Sequence, residues 1–279
     1  FTLCPTTPPT NTPIILAEQT IEYLGYQDYM KKANLLLRPI LAIDVMKIKY
    51  WERKFWNKAD KLITMSEDDK QFIEHELHRK LNISVVANGV DLDFFSKTKK
   101  SLPKDPTVLF VGTFKWLPNI EAVDEIINKI WPKIIKALPT AKLKIVGFSP
   151  TSKIKSYAQD ASIEVLGGID DIRDAFAAAH VLLAPIRSGK GTRYKVLEAM
   201  VTGTPVVATN LAVEGMGLVP GEHVLTADTA TSLAKKTAEL LTDTPLQNKM
   251  AKTSIKFVHK HFSWDTIAKD LDGVYKEFL

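Results

Sequence analysis

The stretch APIRSGKGTRYKVLEAMVTGTPVVAT, residues 184 to 209, places three cations, Lys190, Arg193 and Lys195, within six positions among small residues. A carboxylate, Glu198, follows Lys195 three residues later, on the same side of a helix. Gly189 and Gly191 allow a tight turn and a close backbone approach. The pattern predicts a helix starting near Thr192, whose free N–H groups and positive dipole end favour an anion. Cations at that end cost the helix about 0.3–1 kcal/mol each, and an anionic ligand would offset the cost. A local conflict of this kind is expected at a functional site. Glu198 is suited to accept hydrogen bonds from sugar hydroxyls. The plainer alternative is an i,i+3 Lys–Glu pair on a solvated helix, about 0.2–0.5 kcal/mol.

Such a site needs a frame, and the surrounding sequence supplies one. From residue 107 short apolar runs alternate with helical segments. The runs are TVLFVG (107–112), KLKIVG (142–147), SIEVLG (162–167), VLLAPI (181–186), PVVAT (205–209) and HVLTA (223–227). They are continuous rather than alternating, as in strands covered by helices on both faces. An open, doubly wound sheet is expected over 103 to about 255, with ligands beyond the carboxyl ends of its strands. Gly112, Gly147, Gly167, Gly168 and the cationic stretch all fall at that edge, although a glycine there also serves as a plain turn former.

The first part of the chain follows the same rhythm. PIILAE (13–18), KLITMS (61–66) and ISVVANGVD (83–91) read as parallel strands. A long helical stretch from 26 to about 59 is expected to be interrupted or kinked near Pro39, and Ser66 to cap the next helix. Tyr50, Trp51, Phe55 and Trp56 are expected to pack that long helix into a core or domain interface, with an acceptor-binding or membrane-facing role as the alternative. SKTKKSLPKDP (96–106) reads as a linker, and a last helix begins after Ser263. The Pro/Thr-rich opening FTLCPTTPPTNTP reads as extended.

The composition, 45% hydrophobic and 25% charged, is that of a globular protein. One cysteine, Cys4, leaves no internal disulfide, and a reducing compartment is the simpler reading. A net charge of +5 suits anionic substrates or an anionic membrane surface and is too mild to argue for nucleic acid. No Walker A motif, G-x-G-x-x-G or G-x-S-x-G elbow is present. His75 with His78, and His259 with His261, read as solvated helix residues rather than metal ligands.

Three segments together, FVGTFKWLPNIEAVDEIINKIWPKIIKALPTAKLKIVG, APIRSGKGTRYKVLEAM and GTPVVATNLAVEG, resemble the nucleotide-sugar-binding domain of glycosyltransferase family 4. DKLITMSEDD and VVANGVDLDFF are similar to the end of that family's first domain and its hinge, and AEQTIEYLGYQDY to its bacterial acceptor-side segment. The resemblance implies an α/β protein of the GT-B fold, with two Rossmann-like, doubly wound parallel-sheet domains. Residues 1–97 would be a partial acceptor-side domain, 98–258 the donor-binding domain, and 259–279 a helix crossing back to the first.

It implies a retaining glycosyltransferase that needs no metal or other cofactor. The donor would be a nucleoside diphosphate sugar and the acceptor a saccharide or lipid-linked molecule, in bacterial surface polysaccharide or glycolipid assembly. Arg193 and Lys195 would neutralise the leaving diphosphate. Glu198 would bind the ribose, and Gly112, Lys115, Gly168, Ile169, Lys190, Gly191 and Thr192 would complete the donor site. Glu18, Gln19, Thr20 and Glu22 mark the acceptor side. A cytoplasmic location is implied, with peripheral membrane contact through the basic stretch from Lys31 to Lys58.

The chain departs from the family pattern in places. Lys190 stands where the family has a sugar-contacting glutamate upstream of the one Glu198 matches. Thr113 and Pro118 replace the usual Arg and Lys after the first donor-domain strand, with Lys115 as a substitute, and Thr20 replaces an Asn. As an N-terminally truncated member, the chain is expected to bind donor weakly and transfer poorly. Two other readings stay open: a non-catalytic nucleotide-sugar-binding protein, and another GT-B enzyme such as a nucleotide-sugar epimerase.

Overall fold

A computed structural model of the chain describes residues 12–189 and 191–279. The chain forms two compact units. One comprises residues up to Asn88 together with Ser188–Thr192 and Ile267–Leu279, and the other comprises Gly89–Arg187 and Arg193–Thr266.

The first unit is built on a three-stranded parallel sheet, β1 (Ile15–Glu18), β2 (Lys61–Thr64) and β3 (Ile83–Val85), in the order β1-β2-β3. Side chains alternate across a strand, so Leu62 and Ile63 enter different cores. Leu62 packs with Ile21, Tyr23, Trp56, Ile73 and Ile83. Ile63 packs with Val86 and with Ile267 and Val274 of the last helix, Trp264–Lys276. The C-terminal helix thus covers a sheet face that parallel strands cannot leave to water. Lys61, itself buried, donates from Nζ to Glu277 Oε2 at 2.7 Å and to Asn82 Oδ1 at 2.8 Å, pinning that helix. Ser263 caps it, with Oγ accepting from the Thr266 N–H at 3.0 Å.

One local expectation holds and two need correction. The long helical stretch is interrupted near Pro39 into two helices, Glu22–Lys32 and Arg38–Lys58, because Pro39 sits in the first turn of the second, where its missing N–H costs nothing. Of the four aromatics on that helix only Trp56 is buried, at 1% exposure, whereas Tyr50, Trp51 and Phe55 lie open. The stretch 96–106 is tied down rather than loose. Lys100 donates from Nζ to the carbonyls of Phe176 and Ala179 and to Thr204 Oγ1, and burial pulls its pKa down to about 8.

The second unit carries six parallel strands: β4 (Thr107–Val111), β5 (Lys142–Val146), β6 (Ile163–Leu166), β7 (Val181–Ala184), β8 (Val206–Ala208) and β9 (Leu225–Thr226). Their order is β6-β5-β4-β7-β8-β9. Phe110, Leu143, Ile145, Leu182, Leu183 and Val207 are fully buried, as their continuous apolar runs require. The sequence pattern after β4 predicts a helix from about Asn119 to Ala137, and the helix runs from Leu117 to Ala137 with a π-helical turn at Ile126–Ile130. Pro132 follows that turn and lacks the N–H that an α-helix needs there.

Candidate functional site

The strand order reverses between β4 and β7, so the loops after those two strands flank the switch point where doubly wound sheets bind ligands. The loop after β4 carries Gly112 and Lys115, and the segment after β7 carries the cations. The helix there is Tyr194–Val201, two residues later than the sequence suggested, with Arg193 in the N-cap position. Lys195 is therefore in its first turn, and Glu198 lies one turn further on the same side.

Lys195 is held in place by a residue the sequence reading passed over. Its Nζ donates to Asn119 Oδ1 at 2.7 Å, and Asn119 Nδ2 donates to the Thr113 carbonyl at 2.8 Å. The Asn119 side chain occupies the space a Cβ on Gly112 would need, at 2.7–2.9 Å. Gly112 thus admits the amide that ties the β4 loop to Lys195. The ammonium also stands 4.5 Å from the centroid of the Phe110 ring. In the sequence, Asn119 looked like the opening of a helix; its partner is 76 residues away.

The charges at this edge are perturbed in a consistent way. Burial first, and then the neighbouring Arg193, pull the Lys195 pKa down to about 7, against the opposing field of Glu198. Burial pushes Glu198 up to about 7, with Lys195 opposing. Burial also lowers the Arg193 pKa, with Glu214 opposing. Two cations and one carboxylate are thus kept where their charged forms lack full solvation. Lys195 and Glu198 would gain from a ligand that brings phosphate and hydroxyl groups to them.

The other expected residues divide between the units. Gly168 and Ile169 follow β6 at the same edge as Gly112, and Lys115 is exposed just beyond β4. Gly191 and Thr192 group instead with the first unit. There Thr192 Oγ1 accepts from Asn88 Nδ2 at 3.0 Å, and a Cβ on Gly191 would meet Thr20 Oγ1 at 3.0 Å. Gly191 has φ +90°, which favours glycine. Lys190 lies outside the described residues.

Glu18 ends β1, and its Oε2 accepts from Trp56 Nε1 at 2.6 Å. Burial raises its pKa. Gln19 and Glu22 are exposed, and Thr20 Oγ1 donates to the Gln19 carbonyl. A second carboxylate, Glu52, was not singled out. It accepts from the Glu22 N–H at 2.7 Å and the Tyr23 N–H at 3.4 Å, capping a helix that has no cap of its own. Burial pushes its pKa up to about 7. Nothing in the local sequence announces that role, since the two ends are 30 residues apart.

A parallel sheet in this order, with cations and a carboxylate gathered at its switch point, defines a doubly wound α/β protein suited to an anionic, hydroxyl-bearing ligand. Residues 105–243 match the family described as glycosyl transferases group 1. The chain is 28% identical over 204 residues to a phosphatidyl-myo-inositol mannosyltransferase of Mycobacterium tuberculosis, covering 68% of this chain and 53% of that protein. It thus spans about half the length of the curated relative it matches.

Among solved structures, sucrose-phosphate synthase from Thermosynechococcus elongatus superposes with a TM-score of 0.70 at 20% identity, over 96% of this chain and 68% of that one. Anabaena HepE, solved with UDP and glucose, gives 0.69 at 14% identity, over 95% and 71%. The fold is that of GT-B glycosyltransferases, as the resemblance implied.

Proposed function

We propose that the chain carries the donor site of a retaining glycosyltransferase using a nucleoside diphosphate sugar. The observation that carries this reading is the Asn119-held Lys195 beside Glu198 at the switch point of the segment that matches glycosyl transferases group 1. Lys195 and Arg193 meet the diphosphate, and their charge stabilises it as the bond from the sugar C1 to the phosphate oxygen breaks with its electron pair on oxygen. Glu198 takes the ribose hydroxyls. The acceptor hydroxyl oxygen forms the new bond to C1 as its O–H bond breaks and the proton passes to the departing diphosphate oxygen, with Glu18, Gln19, Thr20 and Glu22 on the acceptor side. No metal is assigned a part in this scheme.

The acceptor is a saccharide or lipid-linked molecule handled at an anionic membrane. Among the described residues no helix is long and apolar enough to cross a bilayer. The first unit nevertheless exposes Leu36, Ile40, Ile43, Met46 and Tyr50 along one side of the helix Arg38–Lys58 and the turn before it. Lys31, Lys47 and Lys58 stand nearby and are open to solvent. Apolar side chains flanked by lysines suit the interface of an acidic bilayer. A membrane-side acceptor is in keeping with the mycobacterial relative, a phosphatidyl-myo-inositol mannosyltransferase.

The donor claim is tested by thermal shift with UDP-, GDP-, ADP- and TDP-sugars. A ligand at a hundredfold excess over Kd stabilises by about 2.7 kcal/mol. No shift with any of them contradicts the reading. Flotation with acidic liposomes at low salt tests the membrane contact, and no binding contradicts it.

A further inference from the structure

The two most exposed aromatic rings of the second unit, Trp116 at 67% and Phe148 at 66%, stand at the carboxyl ends of β4 and β5. Open aromatic rings are costly to leave in water, and here they lie at the edge where a doubly wound sheet takes its ligand. Phe148 is fixed in place. Its carbonyl accepts from the Phe114 N–H at 2.9 Å. One edge of its ring lies where a Cβ on Gly168 would go, with the three nearest ring atoms 2.1–2.9 Å from that point. Gly168 is thus the seat of the ring, and a Cβ there would displace the ring from it.

The neighbouring loops form a continuous row. A Cβ on Gly147 would fall 1.7 Å from the Gly112 carbonyl oxygen, so the ends of β5 and β4 touch backbone to backbone. Gly112 in turn admits Asn119, which holds Lys195. The row runs Gly168, Phe148, Gly147, Gly112, Asn119, Lys195. It crosses from β6 to β7, three strand spacings or about 14 Å. Its two ends differ in chemistry, with an aromatic ring at one and a cation at the other. A nucleoside diphosphate has the same polarity, with a flat base at one end and phosphates at the other.

Resting on the donor-site reading above, we infer that Phe148 is the stacking surface for the donor's nucleobase. Stacking uses the π-face common to all bases, so Phe148 supplies affinity, and choice among bases falls to other groups.

Isothermal titration of the whole chain with UDP, GDP, ADP, TDP and inorganic pyrophosphate tests this. Phe148→Ala is expected to weaken the preferred nucleoside diphosphate roughly 5- to 150-fold, the equivalent of about 1–3 kcal/mol of base stacking, and to leave pyrophosphate unchanged. Phe148→Trp is expected to keep the affinity. Gly168→Ala retains the phenyl ring and removes its seat, and is expected to produce the same selective loss. Unchanged nucleoside diphosphate binding in Phe148→Ala, or equal losses for nucleotide and pyrophosphate, overturns the stacking role and leaves the donor site standing. Failure of the unaltered chain to bind any of the nucleotides overturns both.

Discussion

Each unit holds a group of shielded ionisable side chains beside the ends of its parallel strands, and the two groups are spent differently. In the first unit Glu18 and Glu52 have partners supplied by the fold. The indole N–H of Trp56 binds one, and the first N–H groups of the helix Glu22–Lys32 bind the other. In the second unit Lys195 has a neutral amide as its hydrogen-bond partner, and the Glu198 carboxylate accepts no hydrogen bond from a described residue. Glu52, Lys195 and Glu198 all titrate near 7 for the same first cause, burial. A shifted pKa therefore does not by itself mark a binding site. The hydrogen bonds around the group separate a cap from a site held ready for a ligand.

The largest effect that separates the two is expected at Lys195. Lys195→Met is expected to weaken nucleoside diphosphate sugar binding by about 10- to 150-fold, the loss of a charge-assisted hydrogen bond of about 1.5–3 kcal/mol, while thermal stability is kept or raised. Calorimetric titration and melting curves on the same variant check both halves. Glu52→Ala should do the reverse. It leaves two backbone N–H groups without an acceptor and is expected to cost about 1–3 kcal/mol of stability, with donor affinity unchanged. A drop in donor affinity without loss of stability in this variant would erase the distinction.

Asn119→Ala is expected to act more mildly, a loss of about 0.5–1.5 kcal/mol in donor affinity, because the ammonium stays and only its positioning is lost. The smallest effect is on the pH dependence of melting. Between about pH 7 and 10.5 the unfolded chain holds a proton on Lys195 that the folded chain lacks, so this contribution to stability rises with pH. Between about pH 4.5 and 7 the folded chain holds protons on Glu52 and Glu198 that the unfolded chain lacks, so their contribution falls as pH rises. Lys195→Met should reduce the first slope and leave the part that Lys100 contributes above about pH 8, and Glu52→Gln and Glu198→Gln should each reduce the second. Unaltered melting profiles in these variants would count against the assignments.

Much of the strand edge of the second unit was legible because it is local. Six apolar runs, glycines at their ends and three cations beside one carboxylate all lie within short windows, and a parallel sheet turns such windows into one edge. What the sequence hid was carried by distant pairs. Asn119 acquires its role only when Lys195 arrives, and Glu52 only when the helix starting at Glu22 folds beside it. The helix Arg38–Lys58 misled for a different reason. Aromatic residues at helical spacing signal burial when something covers them, yet its second half turns only Trp56 inward among them and leaves Tyr50 and Trp51 open. Periodicity names a face; it does not say what lies against it.

The central claim is that Lys195 is held short of full protonation until a diphosphate arrives. Calorimetric titration of the bound nucleoside diphosphate sugar at pH 8, in buffers of different ionisation enthalpy, counts the protons exchanged on binding. The diphosphate of a sugar nucleotide is fully ionised at this pH and contributes none. Net proton uptake by the unaltered chain that disappears in Lys195→Met is the expected result. Binding without uptake, or uptake that persists in Lys195→Met, would contradict it.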